Sequence, residues 1–431
     1  MQVSVENIGK LERRMQVQVP AERVTQEIAS RLAQLTRTAR LKGFRPGKAP
    51  LKVIRQQFGQ QVHQEVIGEL LRASLNEALT QSRLAPAGDP RIEPKSMGEG
   101  QDLTYVATFE VFPEIELNPL SELQVERITA EVAEGDVDAM IERLRKQQTQ
   151  FSKVLRPAAG GDRVSIDFEG SIDGVPFAGG KAENAPVVLG EGRMLAQLEA
   201  GLIGAREGES REIGVDFPAD YRATELAGKH AIFTVSVKSV EEPRLPEVDE
   251  EFCKLFAVTE GGVTRLREEV TANMRRELDA ALRNRNKTTL LEKLYQANPV
   301  EVPNALLEAQ IRDMQIEIMR RTGAKDVSQA PPREPLLEPA RRRAALGLLI
   351  NDIVRRDRIV LDPKRADARL DEMVGVYDDA AAVKRAYQQD AEAMRRVESL
   401  TLEDQAVDHL WSKVKVTERP ATFKDVMNFD G

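Results

Sequence analysis

Apolar residues recur along the chain with two different periods, and the period changes several times. Near the N-terminus Met15, Val17 and Val19 alternate with Gln16 and Gln18 after a turn signal at Asn7–Gly9, which predicts a half-buried strand ending at Pro20. Val24, Ile28, Leu32 and Leu35 then fall at helical spacing, and a second helical stretch runs from about Gln56 to Arg83. Alternation returns with Leu103, Tyr105, Ala107, Phe109 and Val111 before Pro113. Residues 1–112 therefore read as a small α+β domain.

Residues 113–150 form a linker: a Pro-containing extended stretch, then a charged helix with Val137, Met140, Ile141 and Leu144 on one face. From 151 to 243 glycines multiply. Short alternating runs such as Val164-Ser165-Ile166-Asp167-Phe168 and the turn pair Asp173-Gly174 predict a compact antiparallel β domain with one short helix. Residues 244–431 read as mostly helical, with a stripe of Leu266, Val270, Met274, Leu278 and Leu282. Pro303 is expected at position N1 of a helix carrying Leu307, Ile311, Met314 and Ile318. Ser328–Pro339, with prolines at 331, 332, 335 and 339, is expected to be a loop, and Leu346, Leu349, Ile350 and Ile353 to begin another helix. No short repeat is visible, so a solenoid is not indicated. The whole reads as a multidomain α+β protein.

Composition narrows the classes. Of 431 residues 31% are charged, against about 25% in an average soluble chain, and 4% are aromatic. Periodic apolar residues at 41% exclude wholesale disorder, and the lack of any run of about 18 uncharged apolar residues excludes a membrane-spanning helix. No membrane partner is expected. A single cysteine, Cys253, favours a reducing compartment, and the charged stretch from Met1 to Met15 does not read as a signal peptide, so a cytoplasmic protein is expected. His63, His230 and His409 lie far apart without cysteine partners, so neither a zinc site nor any other metal or cofactor is expected.

The charge is unevenly spread. Formal net charge is −8, yet no acidic residue occurs between Glu27 and Glu65, where Arg31, Arg37, Arg40, Lys42, Arg45, Lys48, Lys52 and Arg55 all fall. At the centre of that window Gly43-Phe44-Arg45-Pro46-Gly47-Lys48-Ala49-Pro50 sets glycines and prolines around a phenylalanine, which predicts a defined loop tip. Its cations suit phosphates or acidic side chains, while Phe44 could enter an apolar crevice, stack on a base, or tuck back onto its own domain. A nucleotide-binding P-loop does not fit: the spacing from Gly43 to Lys48 is one residue short, and Ala49 stands where Ser or Thr is needed.

The octapeptide GFRPGKAP resembles the signature of the bacterial trigger factor family, chaperones that dock beside the ribosomal tunnel exit, and the resemblance extends over the whole chain. It implies a ribosome-docking N-terminal domain, a central domain like the FK506-binding prolyl isomerases, and a helical C-terminal domain with arms. It also implies that Gly43, Phe44, Arg45 and Lys48 contact protein and ribosomal RNA of the large subunit. The expected partners are the ribosome, nascent and unfolded polypeptides and, off the ribosome, a second copy of the chain.

Rotation about an X-Pro bond needs no nucleophile, metal or proton shuttle. The barrier of ~18–20 kcal/mol arises because twisting destroys amide resonance. A dry apolar cleft lowers it by favouring the twisted, less polar amide over the planar one. The central segment resembles the FK506-binding isomerase pattern in Ile166-Asp167-Phe168-Glu169-Gly170, Phe177, Leu189-Gly190-Glu191-Gly192, Gly201-Leu202-Ile203-Gly204, Phe217-Pro218, Tyr221 and Phe233. By that resemblance Phe168, Phe177, Met194, Leu195, Leu198, Tyr221 and Phe233 line the proline pocket, with the Tyr221 hydroxyl offered to a substrate carbonyl. On alternation alone the same phenylalanines could be simple core. The chain departs from the pattern at the pocket floor, where Leu195-Ala196-Gln197-Leu198 replaces an apolar-Pro-Gly-aromatic run. Leucine buries less area than an aromatic ring, which implies weaker turnover and leaves peptide binding without much isomerisation open.

In the C-terminal part Met274, Met314, Met319, Met373 and Met394 supply adaptable side chains, read either as core or as a surface for varied clients. The expected activity is that of a ribosome-associated, ATP-independent chaperone with peptidyl-prolyl isomerase activity. The competing readings are a ribosome or nucleic-acid binding factor whose β domain is inactive, and a dedicated isomerase targeted by its flanking domains.

Overall fold

A computed structural model describes residues 1–38, 44, 50–98, 100–221, 223–324, 326–375, 377 and 379–428. The chain packs into two compact units, one built from Met1–Arg127 with Arg285–Glu418, the other from Ile128–Asn284 with Arg419–Gly431.

The first unit opens with β1 (Gln2–Asn7), β2 (Glu12–Val19), the helices α1 (Ala21–Thr38) and α2 (Leu51–Ser82), and then β3 (Arg91–Ser96) and β4 (Leu103–Glu110). The strands form an antiparallel sheet in the order β1-β2-β4-β3. Register sets Met15, Val17 and Val19 of β2 opposite Ala107, Tyr105 and Leu103 of β4, so the two alternating runs bury the same face. That face packs with Val24 and Leu32 of α1 and Ile54, Val62, Val66 and Leu70 of α2. The buried Tyr105 hydroxyl meets Ser74 Oγ at 2.9 Å, which satisfies a polar group inside the core. Helix α2 begins five residues before the predicted Gln56, because Pro50 adopts an extended backbone and the helix starts directly after it.

After β5 (Gln124–Thr129) come α3 (Glu134–Gln147), β6 (Gln150–Val154), β7 (Arg163–Ile172), β8 (Val175–Val188), α4 (Ala196–Leu202), β9 (Ser210–Asp216) and β10 (His230–Arg244). These strands from β6 onward make a five-stranded antiparallel sheet in the order β6-β10-β7-β8, with β9 paired to the first half of β10. The β7–β8 hairpin turns on Asp173 and Gly174, both at positive φ (50° and 81°), the combination that suits strand twist in a two-residue turn. Inward residues Val164, Ile166, Val235 and Val237 pack with Leu198 and Leu202 of α4.

The rest of the chain is largely helical: α5 (Glu250–Leu255), α6 (Gly262–Ala297), α7 (Asn304–Thr322), α8 (Leu337–Arg356), α9 (Pro363–Val374), α10 (Ala380–Gln389), α11 (Ala391–Lys413), β11 (Lys415–Pro420), which pairs with β5, and α12 (Phe423–Met427). In the second unit Met274 and Leu278 of α6 pack with Val137 and Ile141 of α3 and Phe423 of α12. In the first, Val125 is surrounded by Leu290, Leu294, Leu349, Ile353 and Leu410. Two local expectations change. Pro303 caps α7 in an extended conformation, one position before N1. Ser328–Pro339 is not loop throughout, for Pro335 lies in a 3-10 turn at Glu334–Leu336 and Pro339 in the first turn of α8. A proline is tolerated there because first-turn N–H groups have no helical acceptor. Helices α9, α10 and α11 have no counterpart in the periodicity reading. Each starts on an aspartate, Asp362, Asp379 and Asp390, whose carboxylate accepts backbone N–H groups of the first turn. Among the described residues no helix is long and apolar enough to cross a membrane.

Candidate functional site

The central sheet carries its aromatic residues on one face. Phe168 belongs to β7, Phe177 to β8 and Phe233 to β10, while Phe217 and Tyr221 follow β9. Strand register explains the convergence: Phe233 stands opposite Gly170, and Val235 opposite Phe168, so Phe168 and Phe233 are diagonal neighbours on one face. Their ring centroids are 5.9 Å apart, edge to face. Phe177 meets both Phe217 and Phe233 at 5.9 Å, again edge to face, and Phe217 lies 4.7 Å from Tyr221. Edge-to-face pairs match the positive rim of one ring to the negative face of another, each stabilised by ~0.5–1.5 kcal/mol beyond burial.

Two glycines make room for these rings. A Cβ on Gly170 would lie 2.7 Å from Phe233 Cε1 and 2.8 Å from Phe177 Cζ, and one on Gly180 would lie 2.8 Å from Phe177 Cε2. The glycine in Asp167-Phe168-Glu169-Gly170 is thus a requirement of close approach, since a side chain there would displace both rings.

The remaining predicted pocket residues join the same cluster. Leu198 is 1% exposed and Phe233 5%, whereas Phe168, Phe177, Met194, Leu195 and Tyr221 are half-buried and pack against that core. The structure therefore brings all seven predicted residues into one apolar cluster, two of them buried and five half-buried. Phe217, 4% exposed and touching three of the other rings, belongs to the cluster too. The pair Phe217-Pro218 signals it in the sequence. Helix α4 is held against β9 by Gln197, whose side-chain N–H donates to Asp216 at 3.1 Å while its oxygen accepts from the Asp216 N–H at 2.6 Å. Asp216 also bonds His230 Nδ1 at 2.7 Å, and the His230 contact holds its carboxyl below the usual carboxylate range.

The opposite face of the sheet is different. An open groove of about 410 Å³ there is lined by Asp167, Glu169, Lys181, Glu183, Thr234 and Ser236 together with Pro176, Ala182 and part of Phe168, with Lys238 Nζ 2.8 Å from Asp167. Charged walls of this kind do not favour a desolvated prolyl ring.

At the predicted docking loop, Phe44 is 40% exposed, as its glycine- and proline-rich neighbourhood suggests. Gly43, Arg45 and Lys48 lie outside the described residues. On the flanking helices Arg37 and Lys52 are exposed, while Arg31 pairs with Glu69 of α2. The acid-free window in the sequence is therefore partly balanced in space by a carboxylate from the middle of α2. The three histidines stay apart: His230 pairs with Asp216, His409 with Asp357 at 2.7 Å, and His63 has a buried Nε2 without a partner. Among the described residues no group of three or more His, Cys, Asp or Glu is placed to hold a metal ion.

A twisted antiparallel sheet wrapped on a short helix, with an aromatic cluster between them, defines a prolyl-isomerase type of domain inside a larger α+β protein. Residues 156–238 match the family model of FKBP-type peptidyl-prolyl cis-trans isomerases. Residues 1–144 match that of bacterial trigger factor protein, and residues 262–412 that of its C-terminus. The trigger factor of Thioalkalivibrio sulfidiphilus is 46% identical over 428 residues, covering 99% of this chain and 98% of that protein. The trigger factor of Pseudomonas aeruginosa is 43% identical over 427 residues, with the same coverage of 99% and 98%. A solved structure concerned with promiscuous substrate recognition in folding and assembly by the trigger factor chaperone superposes with a TM-score of 0.52 at 18% identity, covering 96% of this chain and 100% of that one. The chain belongs to the bacterial trigger factor family, chaperones with a peptidyl-prolyl isomerase domain of the FKBP type.

Proposed function

We propose that this chain is a ribosome-associated, ATP-independent chaperone of the cytoplasm that receives nascent and unfolded chains and rotates X-Pro bonds in the cluster around Phe233. What supports the pocket assignment above all is the convergence of five aromatic rings from three strands and one loop onto a single apolar face. A prolyl ring seated between Phe168, Phe177 and Tyr221, above Leu198 and Phe233, leaves water. The amide then loses the solvation that favours its planar, more polar form, and the twisted form is bound better than the ground state. Met194 and Leu195 complete the apolar rim, and the Tyr221 hydroxyl donates to a substrate carbonyl.

The exposed Phe44, with Gly43, Arg45 and Lys48, docks the chain on the large ribosomal subunit, the phenylalanine in an apolar crevice and the cations on acidic side chains or ribosomal RNA phosphates. Segments 1–112, 113–150, 151–243 and 244–431 serve as docking domain, linker, isomerase and client-binding part. Off the ribosome the partner is a second copy of the chain.

The test is the rate of cis/trans exchange of a proline tetrapeptide, measured alongside suppression of aggregation of a chemically unfolded protein and co-sedimentation with ribosomes. All three are expected. Chaperoning and co-sedimentation without rate enhancement would leave a peptide-binding domain with a leucine floor too poor to catalyse. Loss of co-sedimentation would remove the docking assignment.

A further inference from the structure

Three of the pocket side chains, Met194, Leu195 and Leu198, come from the segment between β8 and the middle of α4, which leaves the sheet after the backbone bonds of Leu189 to Gly161 and Asp162. Gly190 and Gly192 at its start adopt positive φ, 97° and 67°, so the backbone coils tightly. At the centre of that coil sits the carboxylate of Glu199, the residue next to Leu198 on α4. Glu199 is 6% exposed. Its Oε2 accepts the N–H of Gly190 at 2.9 Å and of Gly192 at 3.3 Å, and its Oε1 accepts the N–H of Met194 at 3.0 Å. Burial alone would push this carboxyl up, but the N–H groups of Met194, Gly190, Gly192 and Arg193 outweigh it and hold the group below the usual carboxylate range. A buried charge of this kind is tolerated only while those donors stay in place, so carboxylate and segment order each other.

We propose that Glu199 is a positioning residue of the isomerase pocket: through the N–H groups of Gly190, Gly192 and Met194 it clamps the segment bearing Met194 and Leu195 against Leu198. The apolar rim is then formed before a substrate arrives, and binding does not have to order it. This rests on the reading of the Phe233 cluster as the proline site.

Full-length Glu199→Gln tests it. Glutamine keeps one acceptor oxygen and sets an NH2 group against the remaining donors, so at least one clamp bond is lost. The expected result is a rise in KM for a proline tetrapeptide of about 10-fold with kcat little changed, the signature of binding lost equally from ground and transition states. Amide hydrogen exchange at Gly192 and Met194 should speed up at least about 10-fold while the amides of β7 and β10 keep their protection. Faster exchange with an unchanged KM, or an unchanged exchange rate, overturns the proposal. A second measurement needs no variant. In the wild-type chain those amides should already be protected, and saturation with the tetrapeptide should slow them less than about 2-fold. A slowing of about 10-fold or more would show that substrate, not Glu199, orders the rim, and would equally overturn it. Phe233→Ala run in parallel separates the two levels: if it leaves tetrapeptide turnover untouched, the pocket reading fails and takes this proposal with it, whereas a loss confined to Phe233→Ala removes Glu199 alone.

Discussion

Phe233 and Phe44 are chemically identical side chains in opposite circumstances. Phe233 is 5% exposed, fitted between three other rings and opposite a glycine that leaves room for it; Phe44 is 40% exposed, among the twelve residues that separate α1 from α2. A buried ring stabilises the fold and shapes the site at once, so no substitution of it can separate the two. An exposed ring contributes little to folding, and whatever its loss changes must be an interaction with something else. The same residue type thus reports on architecture in one region and on recognition in the other.

The largest effect should come from Phe233→Ala, which is expected to abolish measurable tetrapeptide isomerisation and to cost about 3–5 kcal/mol in urea denaturation of the central domain. Survival of either property would mean that the ring network is not the organising feature of the site. Next, Phe44→Ala combined with Arg45→Ala and Lys48→Ala should eliminate co-sedimentation with ribosomes while shifting stability by no more than about 0.5 kcal/mol. A large stability loss would place Phe44 with the core residues and dissolve the contrast. Leu198→Phe sharpens the comparison from inside the pocket. It should raise tetrapeptide kcat/KM severalfold by restoring an aromatic floor, at a cost of about 1–3 kcal/mol for the extra volume in a filled core. An unchanged kcat/KM would show that the leucine does not limit turnover.

The smallest effect concerns the first unit, where His409 Nε2 and Asp357 Oδ2 join α11 to the end of α8 at 2.7 Å. The bond from His409, with help from Arg356, holds the Asp357 carboxyl below its ordinary range. A depressed carboxyl stabilises the fold at neutral pH, and that contribution is lost as pH falls below about 4. Asp357→Asn is therefore expected to lower stability at pH 7 by about 1 kcal/mol or less, because the pair is partly exposed, and to flatten the dependence on pH between about 5 and 3. Parallel curves for the two proteins would rule out the pair as the cause.

Legibility followed the strength of local pattern. The strands around Met15–Val19 and Leu103–Val111 were readable because each buries one face, and a one-residue slip would expose every member of the run. Helices α9 to α11 were not singled out: α9 buries only Ala366, Leu370 and Val374 and α10 no residue at all, while the stripe of α11 runs through the small or polar Ala393, Thr401 and Ala406 beside Val397 and Leu410. In the pocket, the spacing of Phe168, Phe177 and Phe233 could be matched to a familiar order. Glu199 could not be singled out, because its partners are backbone N–H groups that leave no side-chain trace in the sequence. Arg31 is a similar case: nothing in the acid-free window reveals Glu69, which only the pairing of α1 with α2 brings near.

The core around Val125 has a consequence for how the protein is made. The apolar cluster under the N-terminal sheet uses buried residues from Met15 to Val111, and that of the isomerase domain uses Ala158 to Val240, so each can close soon after its own stretch is synthesised. Val125, by contrast, is surrounded by residues from Leu290 to Val414. At ~5–20 residues per second, the roughly 290 residues between Val125 and Val414 take about 15–60 s to appear. Until Leu290 follows, 165 residues after Val125, Val125 and its neighbours Ile115 and Leu117 lack every helical partner of this core, while the N-terminal sheet and its helical hairpin can already be complete. The order of translation therefore lets the N-terminal sheet and its helices mature well before the first unit is finished, and leaves Val125 exposed until the C-terminal helices arrive.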